Sequence, residues 1–466
     1  MQGPHQDLSK VLIGPAEVAG IAQGLQQGLT QIGIASELVL ECQHPFHYAA
    51  QEASSPLIKC WKWGGTQARK LPMRQFPLKA LAYAWHLVLG WPVLCWAVFR
   101  YDAFVLLAGK TLTGTRFDLW LMRALHKPVV MIFLGSDSRP AYINGVSKAS
   151  TAGAMQRAAR RQKRRLGWIE RFATACVNAP GTAHFHEVPV INWFALGFPR
   201  FDAASTAPLG HSGLALTGAA GGRPDRASTT IADAAKNGTL VRIVHSPSKP
   251  TVKGTAQIQA IVDRLKKRGL NLELVTLTGL TNEQVLAALR DCDLLVDQMY
   301  SDTPMAGLAT EAAWLCKPAL VGGYIARDMP QALRGMPVPP TRFVEPDRFE
   351  PALEELVMSS SAREALARAA LHFVQTQWSC QQVATRLVCI LRGEVPTSWW
   401  FNPATVNYLA GCGLSEAAAR ERVRLLIDQA GIGALQLADK PELEQAFANW
   451  AQIQTADPPK FNRIVS

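Results

Sequence analysis

The sequence lacks the patterns that would assign it to several specialised classes of protein. Its nine cysteines are scattered between Cys42 and Cys412, with no C-x-x-C pair and no Cys/His cluster at zinc spacing, which argues against a disulfide scaffold or a zinc module. No glycine period is present, so a collagen-like fibre is excluded as well. The N-terminus MQGPHQDLSK has no basic segment followed by an apolar one, and we expect no signal peptide. The prediction is a cytoplasmic protein with reduced thiols.

Charged residues are few, but the two signs are unevenly distributed. Charged residues make up 18% and apolar residues 48% of the 466 positions, a composition that allows large buried cores. The chain carries 48 Lys and Arg against 36 Asp and Glu, a formal net charge of +12. Residues 1–202 hold 22 basic and 11 acidic side chains, a net +11. This half of the chain is therefore predicted to face a polyanion, either nucleic acid or an anionic membrane surface.

One uncharged apolar run, at residues 80–99, has the length of a transmembrane helix. Gly90 and Pro92 interrupt the run, and a strand-like segment follows at residues 103–108. If that strand joins the sheet begun at residues 10–14, a single span would place two strands of one sheet on opposite sides of the bilayer. We therefore reject a span and predict either a helix buried in the domain core or a helix that dips into the membrane interface. The nearby aromatic and basic residues, whose composition suits a headgroup layer, are Trp61, Trp63, Trp85, Trp91, Trp96, Lys59, Lys62, Arg69, Lys70, Arg74, Lys79 and Arg100.

A second basic segment, at residues 155–172, contains one acid, Glu170. Its basic residues are Arg157, Arg160, Arg161, Lys163, Arg164, Arg165 and Arg171. Three interpretations are open: contact with anionic lipid, at about 1 kcal/mol per basic residue near the surface, a solvated helix face, and nucleic-acid binding. No nucleic-acid motif lies nearby. We rank the lipid surface first and nucleic acid last, and we expect an anionic membrane as partner and no nucleic acid.

Short apolar runs alternate with helical segments along most of the chain. The runs lie at residues 10–14, 35–40, 103–108, 128–133, 173–178, 240–245, 272–277, 293–297 and 318–322. This alternation predicts an α/β fold of two successive Rossmann-like domains with parallel sheets. The predicted units are an N-terminal domain at 1–202, a flexible linker or insertion at 203–238, a C-terminal domain at 239–395 and a small, separate helical appendage at 396–466.

The segment HSPSKPTVKGT, at residues 245–255, lies just beyond a strand and opens a helix. Backbone N–H groups and the helix dipole attract anions at such a position. Lys253 adds a formal positive charge, and Lys249 is placed to add a second. The alternative is a turn capped by Ser248 or Thr251 that carries surface lysines.

A second segment places a carboxylate on an apolar helix. Asp297 and Gln298 end a strand, and a loop with Pro304 and Gly307 leads into the helix that carries Glu311. A carboxylate in such surroundings is costly unless it is paired or bound to a ligand, and it is suited to accept two hydrogen bonds from a ribose diol. The alternative is a glutamate in the first helical turn, favoured by the dipole.

These segments together resemble a known family. VRIVHSPSKPTVKGT, LELVTLTGLTNEQVLAALRDCDLLVDQ and TEAAWLCKPAL resemble the C-terminal domain of retaining GT-B glycosyltransferases of family four. RYDAFVLLAGKTLTG and DLWLMRALHKPVVMIFLGSDSR resemble the segments that line the acceptor side of the cleft in that group. The resemblance covers residues 8–395 and implies two Rossmann-like domains that face a cleft.

The resemblance also implies roles for particular residues. Lys253 would contact the donor diphosphate and Glu311 the ribose, and these two are the expected catalytic residues. The implied donor-binding residues are His245, Ser246, Lys249, Lys253, Gly254, Gly279, Asp297, Thr303, Met305, Ala306, Gly307 and Glu311. The implied acceptor-side residues are Gly14, Gly135, Asp137 and Arg139, although Asp137 is equally suited to cap a turn.

The expected reaction transfers a sugar from a UDP- or GDP-linked donor to a glycan or a lipid-linked acceptor. The resemblance implies no metal and no cofactor, because basic side chains and a helix N-terminus anchor the diphosphate. No general base can be named from the sequence. The expected location is cytoplasmic, peripheral at the inner face of the membrane.

The sequence departs from the family pattern at three points. Thr303 stands where many relatives have the first Glu of a Glu-x7-Glu motif, Gly307 is the only glycine kept in the intervening loop, and Leu134 replaces a His near the reacting sugar. These departures leave two alternatives open. One is a GT-B protein that has lost catalysis and serves as a membrane scaffold in glycan assembly. The other is a nucleotide-sugar epimerase, for which we find no paired acids and base.

Overall fold

The computed structural model describes residues 8–42, 55–115, 117–199, 239–333 and 335–452. The predicted linker at 203–238 lies outside these residues. The strands of the described chain are β1 (Lys10–Gly14), β2 (Ala35–Leu38), β3 (Ala103–Leu107), β4 (Val129–Ile132), β5 (Ala175–Asn178), β6 (Val190–Asn192), β7 (Val241–His245), β8 (Leu272–Thr276), β9 (Leu294–Val296), β10 (Ala319–Gly322), β11 (Arg342–Val344) and β12 (Trp400–Phe401). The helices are α1 (Ile21–Gln31), α2 (Pro56–Lys70), α3 (Phe76–Arg100), α4 (Phe117–Ala124), α5 (Ala152–Phe172), α6 (Trp193–Leu196), α7 (Pro250–Lys253), α8 (Thr255–Lys267), α9 (Asn282–Asp291), α10 (Gly307–Trp314), α11 (Met329–Leu333), α12 (Phe349–Met358), α13 (Ser360–Gln377), α14 (Cys380–Arg392), α15 (Glu416–Ala430) and α16 (Pro441–Gln452).

The first sheet has the strand order β12-β6-β5-β4-β3-β1-β2, and all pairs are parallel except β12 with β6. Because side chains alternate along a strand, its two faces enter different cores. On β3, Val105 and Leu107 pack with α1 and α14, whereas Phe104 and Leu106 pack with α2 to α5 and with α15 and α16. Burial on both faces explains why these strands are continuous apolar runs.

The second sheet is wholly parallel, with the order β11-β10-β9-β7-β8. One face packs with α8 and α12 and the other with α9, α10 and α13. Local signals explain some helix boundaries: α9 begins at a capping box, in which the Thr281 hydroxyl accepts from the backbone N–H of Gln284 and the Gln284 side chain accepts from that of Thr281. The predicted α/β fold, two Rossmann-like units that face a cleft, is confirmed.

The C-terminal segment returns to the first unit. Helix α14 lies against α1, where Gly28 allows the backbone carbonyl of Cys380 to approach so closely that a Cβ atom would collide with it. Strand β12 extends the first sheet, and α15 packs on α5. The residues described after 396 are mostly helical, as expected, but the prediction that they form a separate appendage is wrong. The boundaries drawn at 202 and 395 remain predictions.

Helices α2 and α3 form a hairpin inserted between β2 and β3. In the described part of the chain, residues 73–100 are the one helical stretch long and apolar enough to span a membrane, with a mean hydropathy of 1.5. Only a third of that window is buried. One face of α3, with Val93, Leu94, Ala97 and Val98, packs on the sheet, while the opposite face is exposed. The interpretation as a wholly buried core helix is therefore wrong.

Candidate functional site

The predicted donor residues gather at the carboxyl edge of the second sheet. The connectivity reverses between β7 and β9, and ligands of open α/β sheets bind outside the carboxyl ends of strands at such a switch point. Lys253 follows β7 and Asp297 follows β9 directly. The Lys253 Nζ lies 3.0 Å from the Asp297 Oδ1, so the two strands bring opposite charges together where a crevice is expected.

Backbone geometry fixes the place of Lys253. Helix α7 begins after Lys249 without a side-chain cap, so the alternative of a turn capped by Ser248 or Thr251 is not observed. Lys253 ends α7, and its carbonyl accepts a 3.0 Å hydrogen bond from the backbone N–H of Met299. Gly254 follows in the left-handed region, with a φ of 74°.

The Lys253–Asp297 pair is largely withdrawn from water. The Lys253 side chain is 18% exposed, and the Asp297 side chain is fully buried. The second carboxylate oxygen of Asp297, Oδ2, has no hydrogen-bond partner among the described residues. An ion pair with one partner this deeply buried depends on both charges, because removal of either leaves the other uncompensated.

Two other predicted donor residues are engaged in structural hydrogen bonds. His245 is fully buried, with Nδ1 2.9 Å from the Val296 carbonyl and Nε2 2.8 Å from the Thr255 hydroxyl. Burial lowers the pKa of His245 and favours its neutral form, and its implied donor-binding role stays a prediction. The hydroxyl of Ser246 donates to the Leu277 carbonyl over 3.3 Å.

Glu311 lies in the second turn of α10 and is 3% exposed. Its Oε1 accepts a 2.9 Å hydrogen bond from the side-chain amide of Asn282, the first residue of α9. The alternative of a glutamate in the first helical turn is therefore wrong. The carboxylate is paired, as a buried carboxylate requires, on the carboxyl side of the second sheet.

The cleft between the units contains a cavity of about 200 Å³. The loops after β1, β4 and β5 form one wall and the loop from β9 to α10 forms the other; the lining residues are Val18, Ala19, Ile21, Phe133, Leu134, Gly135, Asn178, Ala179, Thr182, Trp193, Phe198, Asp302, Thr303, Ala306 and Gly307. Gly307 meets Ala19 so closely that an added Cβ would lie 2.7 Å from the Ala19 Cβ. The cavity thus joins the predicted donor side, at Thr303 and Ala306, to the predicted acceptor side, at Gly135.

Other predicted site residues lie away from this cavity. Met305 is fully buried in the core, and Gly279 occupies an open left-handed turn with a φ of 70°. Gly14 allows the close approach of the Val39 carbonyl from the neighbouring strand region. These three positions shape the backbone or the core, and their side chains do not line the cavity.

The two predicted polar residues on the acceptor side are both occupied. Both carboxylate oxygens of Asp137 accept from the backbone N–H of Leu134, at 3.0 and 3.1 Å, which favours the turn-capping interpretation. Arg139 is 3% exposed, and its Nε donates to Asp302 Oδ2 over 3.0 Å, with a second bond from Nη2. This ion pair joins the two units across the cleft, and the implied acceptor-side role of Arg139 stays a prediction.

Sequence reasoning missed the polar groups that the first unit contributes to the cavity. Asn178 ends β5, and its Oδ1 accepts a 2.6 Å hydrogen bond from the Thr182 hydroxyl. Its Nδ2 lies 2.9 Å from His186 Nε2, and His186 Nδ1 lies 2.7 Å from Glu170 Oε1. The rule that ligands bind at carboxyl ends of strands, applied to the run at 173–178, would have singled out Asn178.

The described residues contain no group of three or more His, Cys, Asp or Glu side chains placed to hold a metal ion. Thr303 Oγ1 is buried and has no hydrogen-bond partner among the described residues. The polar groups at the cavity are therefore the Asp302 carboxylate in its ion pair with Arg139, the hydrogen-bonded Asn178 amide, and the hydroxyls of Thr182 and Thr303.

Comparison with known proteins yields distant similarities of fold. Neither the protein-family models nor the curated proteins provide a match. Among solved structures, HepE from Anabaena in complex with UDP-glucose is 11% identical, covering 83% of this chain and 100% of its own, with a TM-score of 0.45. MnaA from S. aureus with UDP is 12% identical, covering 82% and 95%, with a TM-score of 0.41. The glycosyltransferase SnogD from Streptomyces nogalater is 14% identical, covering 83% and 100%, with a TM-score of 0.37. The function proposed below is therefore inferred from the residues of the site.

Proposed function

We propose that this protein is a retaining, metal-independent glycosyltransferase that uses a UDP- or GDP-linked sugar and a glycan or lipid-linked acceptor. The observation that carries the proposal is the placement of Lys253 at the switch point between β7 and β9, 3.0 Å from Asp297. Glu311 lies buried on the carboxyl side of the same sheet. One cation and one carboxylate there suit the diphosphate and the ribose of a nucleotide sugar.

Lys253 would act on the leaving group. As the bond from the anomeric carbon to the diphosphate breaks, negative charge develops on the departing nucleoside diphosphate. An ammonium already in place stabilises that charge by a few kcal/mol without reorganisation. Asp297 orients the ammonium, and its buried position prevents the pair from moving into solvent. The lysine thus supplies positive charge at the point where a metal ion does so in other transferases.

The interdomain cavity is the proposed place of the transferred sugar. Its lining is mainly apolar, which excludes water from a reactive sugar centre. Thr303 is among the lining residues, and its buried hydroxyl has no hydrogen-bond partner among the described residues. Asp302 is the one titratable residue among those that line the cavity, and Arg139 holds it in an ion pair. An epimerase would need an acid and a base at the sugar, so transfer is the better-supported reaction.

A panel of UDP, GDP and ADP in thermal-shift measurements tests the donor assignment. Selective stabilisation by one base is expected, at about 2.7 kcal/mol for ligand at one hundred times Kd. The double variant Lys253→Ala/Asp297→Asn should lose the shift, whereas Lys267→Ala, an exposed lysine at the end of α8, should retain it. If no nucleotide stabilises the wild type, the donor assignment fails. Nucleotide binding without donor turnover or hydrolysis would favour the inactive scaffold.

We further propose that the α2–α3 hairpin seats the protein on the inner, anionic face of the membrane. Five exposed apolar residues of α3 recur at helical spacing and form one stripe about 27 Å long: Leu81, Trp85, Val88, Cys95 and Phe99. Leu81 is 67% and Val88 66% exposed. A stripe of this kind on one helix face is typical of a helix that lies in the plane of the interface.

Neighbouring aromatic and basic residues support that surface. Trp91 contacts Phe117 at 5.3 Å between ring centroids, and Phe117 contacts Trp120 at 5.0 Å, which extends the apolar patch onto α4. Lys59 and Lys70 on α2 are exposed beside it. Lysines next to exposed tryptophans suit the headgroup layer of an anionic bilayer.

Vesicle binding tests the membrane surface. Leu81→Glu should weaken binding to phosphatidylglycerol vesicles by about tenfold, because insertion of the leucine side chain into the bilayer contributes about 1–2 kcal/mol to the free energy of binding. Met358→Glu, at an exposed methionine on α12, is the matched control and should bind as the wild type does. Binding that is insensitive to salt, to anionic lipid content and to Leu81→Glu would contradict the proposal.

A further inference from the structure

A second cavity, of about 410 Å³, lies on the first unit between α5 and the loops that follow β4. Its lining residues are Ser136, Asp137, Arg139, Ala141, Asn144, Val146, Ser147, Ala158, Arg161, Gln162 and Arg165. The volume lies within the range of small-molecule sites. Three arginines and one aspartate line it, so its walls carry a positive charge excess.

Two of the three arginines form no ion pair with an acid of the described chain. Arg165 donates from Nη2 to the Asp137 carbonyl, while its Nε is buried and has no hydrogen-bond partner in the described part of the chain. Arg161 is exposed and makes no hydrogen bond or ion pair with any described residue. Arg139 is different, because Asp302 neutralises it.

The acid in the wall, Asp137, offsets part of the positive charge of Arg165 but forms no ion pair with it. The carboxylate of Asp137 is turned to the backbone N–H of Leu134, and burial raises its pKa. The Ser147 hydroxyl accepts from the Ala149 N–H over 3.2 Å and keeps its own proton for donation. The cavity therefore offers the Arg161 guanidinium and the Ser147 hydroxyl as donors to a compact anion.

The helix holds these arginines together against their repulsion. Arg161 and Arg165 are spaced i, i+4 and share one face of α5 with Gln162, and like charges at that spacing destabilise a helix. Gln162 donates to the carbonyls of Asp137 and Arg139, at 3.0 and 2.9 Å, which braces α5 on the loop. By contrast, Lys163 is neutralised by Glu187 and Asp439, at 3.0 and 2.8 Å.

The cavity lies beside the cleft and is linked to the hairpin. Gly135 lines the interdomain cavity and the next residue, Ser136, lines this one. Arg165 passes 3.4 Å from the position of a Cβ on Gly109, and the following residue, Lys110, pairs with Glu41. Glu41 also pairs over 2.9 Å with Arg69 of α2. A continuous set of contacts thus connects the cavity with the proposed membrane surface.

We propose that this cavity binds a phosphoryl group of the acceptor, with donors from Arg161 and the Ser147 hydroxyl and with the positive charge of the Arg165 guanidinium in its lining. Guanidinium groups match phosphate oxygens in geometry and charge. The acceptor class is then a phosphorylated or diphosphate-linked molecule, whose sugar-accepting end reaches the neighbouring cleft. The word acceptor rests on the proposed function, whereas the anion site itself does not.

Calorimetric titration of inorganic pyrophosphate and phosphate into the full chain tests the site. The Lys253→Ala/Asp297→Asn background removes the proposed donor site as a competitor. Arg161→Gln should weaken pyrophosphate binding by about tenfold or more, the usual effect of a hydrogen bond to a charged group. Arg160→Gln is the matched control, because Arg160 is an exposed arginine of α5 outside the cavity lining and should change binding less than twofold. Arg165→Lys should also weaken binding, since it keeps the charge but removes the planar guanidinium from the cavity lining.

Two results would overturn the site: no binding by the parent protein, or equal weakening by Arg161→Gln and Arg160→Gln. A parallel titration with phosphatidylglycerol vesicles distinguishes the source of the phosphate group. If both variants reduce vesicle binding equally and pyrophosphate does not bind, the helix face is a diffuse lipid contact and the proposal is wrong. The UDP thermal shift of Arg161→Gln should equal that of the wild type, so failure here is distinct from failure of the donor assignment.

Discussion

Removal of Lys253 affects two things at once, the proposed binding of the donor and the ion pair with Asp297. Lys253→Ala deletes the ammonium expected at the donor diphosphate, and it also leaves Asp297 without its ion-pair partner. The Asp297 side chain is fully buried, and its Oδ2 already lacks a partner among the described residues. A loss of activity in Lys253→Ala alone would therefore not distinguish a binding defect from partial unfolding.

The expected destabilisation follows from the burial of the pair. Breaking a buried ion pair by removing one partner costs about 3–5 kcal/mol, and we expect about 3 kcal/mol here because Lys253 is 18% exposed. Asp297→Asn added to Lys253→Ala removes the uncompensated charge and should restore about 2 kcal/mol or more of the free energy of unfolding. It should not restore nucleotide binding, because the cation is still missing.

The test is a double-mutant cycle of the wild type, both single variants and the double variant. Urea denaturation and UDP thermal shifts are measured on all four proteins. Both quantities must be measured on the same preparations, since the reasoning depends on their divergence. If Lys253→Ala is as stable as the wild type, the ion pair does not hold the edge of the second sheet. If the double variant responds to UDP as the wild type does, Lys253 is not the nucleotide anchor.

Three further changes have expected outcomes. Gly254→Ala should destabilise the protein by about 1 kcal/mol or more in urea unfolding, because a Cβ at a φ of 74° would lie 2.6 Å from the Cβ of Met299. Burial lowers the pKa of His184 to about 4, below its unfolded value, so stability should fall on acidification as the unfolded chain takes up the proton. The loss expected between pH 7 and pH 5 is about 2 kcal/mol, and His184→Gln should remove that part of the slope; a slope unchanged in the variant would contradict the assignment. Arg139→Gln should lower the free energy of unfolding by about 3 kcal/mol, because it strands Asp302 at the cleft, whereas Arg139→Gln/Asp302→Asn should recover most of it; equal stability of Arg139→Gln and wild type would show that the pair does not join the units.

The elements predicted from sequence are those whose signal is local. Strands β7 to β10 are visible in the sequence as short apolar runs because both faces of the sheet are covered. The spacing of Thr281 and Gln284 predicts the start of α9. Strand β12 has two residues, and its partner β6 lies about 200 residues earlier. Nothing within such a short segment marks it as a strand.

In the candidate site, too, features that depend on nearby residues could be predicted from the sequence and features that depend on distant residues could not. Lys253 and Glu311 could be singled out because a charge beside a strand end or on an apolar helix is visible in the sequence. Their pairings were not predicted, since Asp297 lies 44 residues from Lys253 and Asn282 lies 29 residues from Glu311. These pairs exist because crossover connections bring distant strand ends to one edge. For α3, the composition predicts an apolar helix and its length. The face of α3 that is buried depends on how the helix packs on the sheet, which the composition does not show.

Strand β12 also determines when the first sheet can be completed during synthesis of the chain. The antiparallel partner of β6 at the edge of the first sheet is contributed by Trp400 and Phe401, so that sheet remains incomplete until the C-terminal segment has been synthesised. At about 5–20 residues per second, the roughly 200 residues that follow β6 take about 10–40 s to translate. During that interval β6 is an open sheet edge, a known template for association between chains. The nascent chain thus exposes a defined sheet edge to association until β12 has been made and can pair with β6.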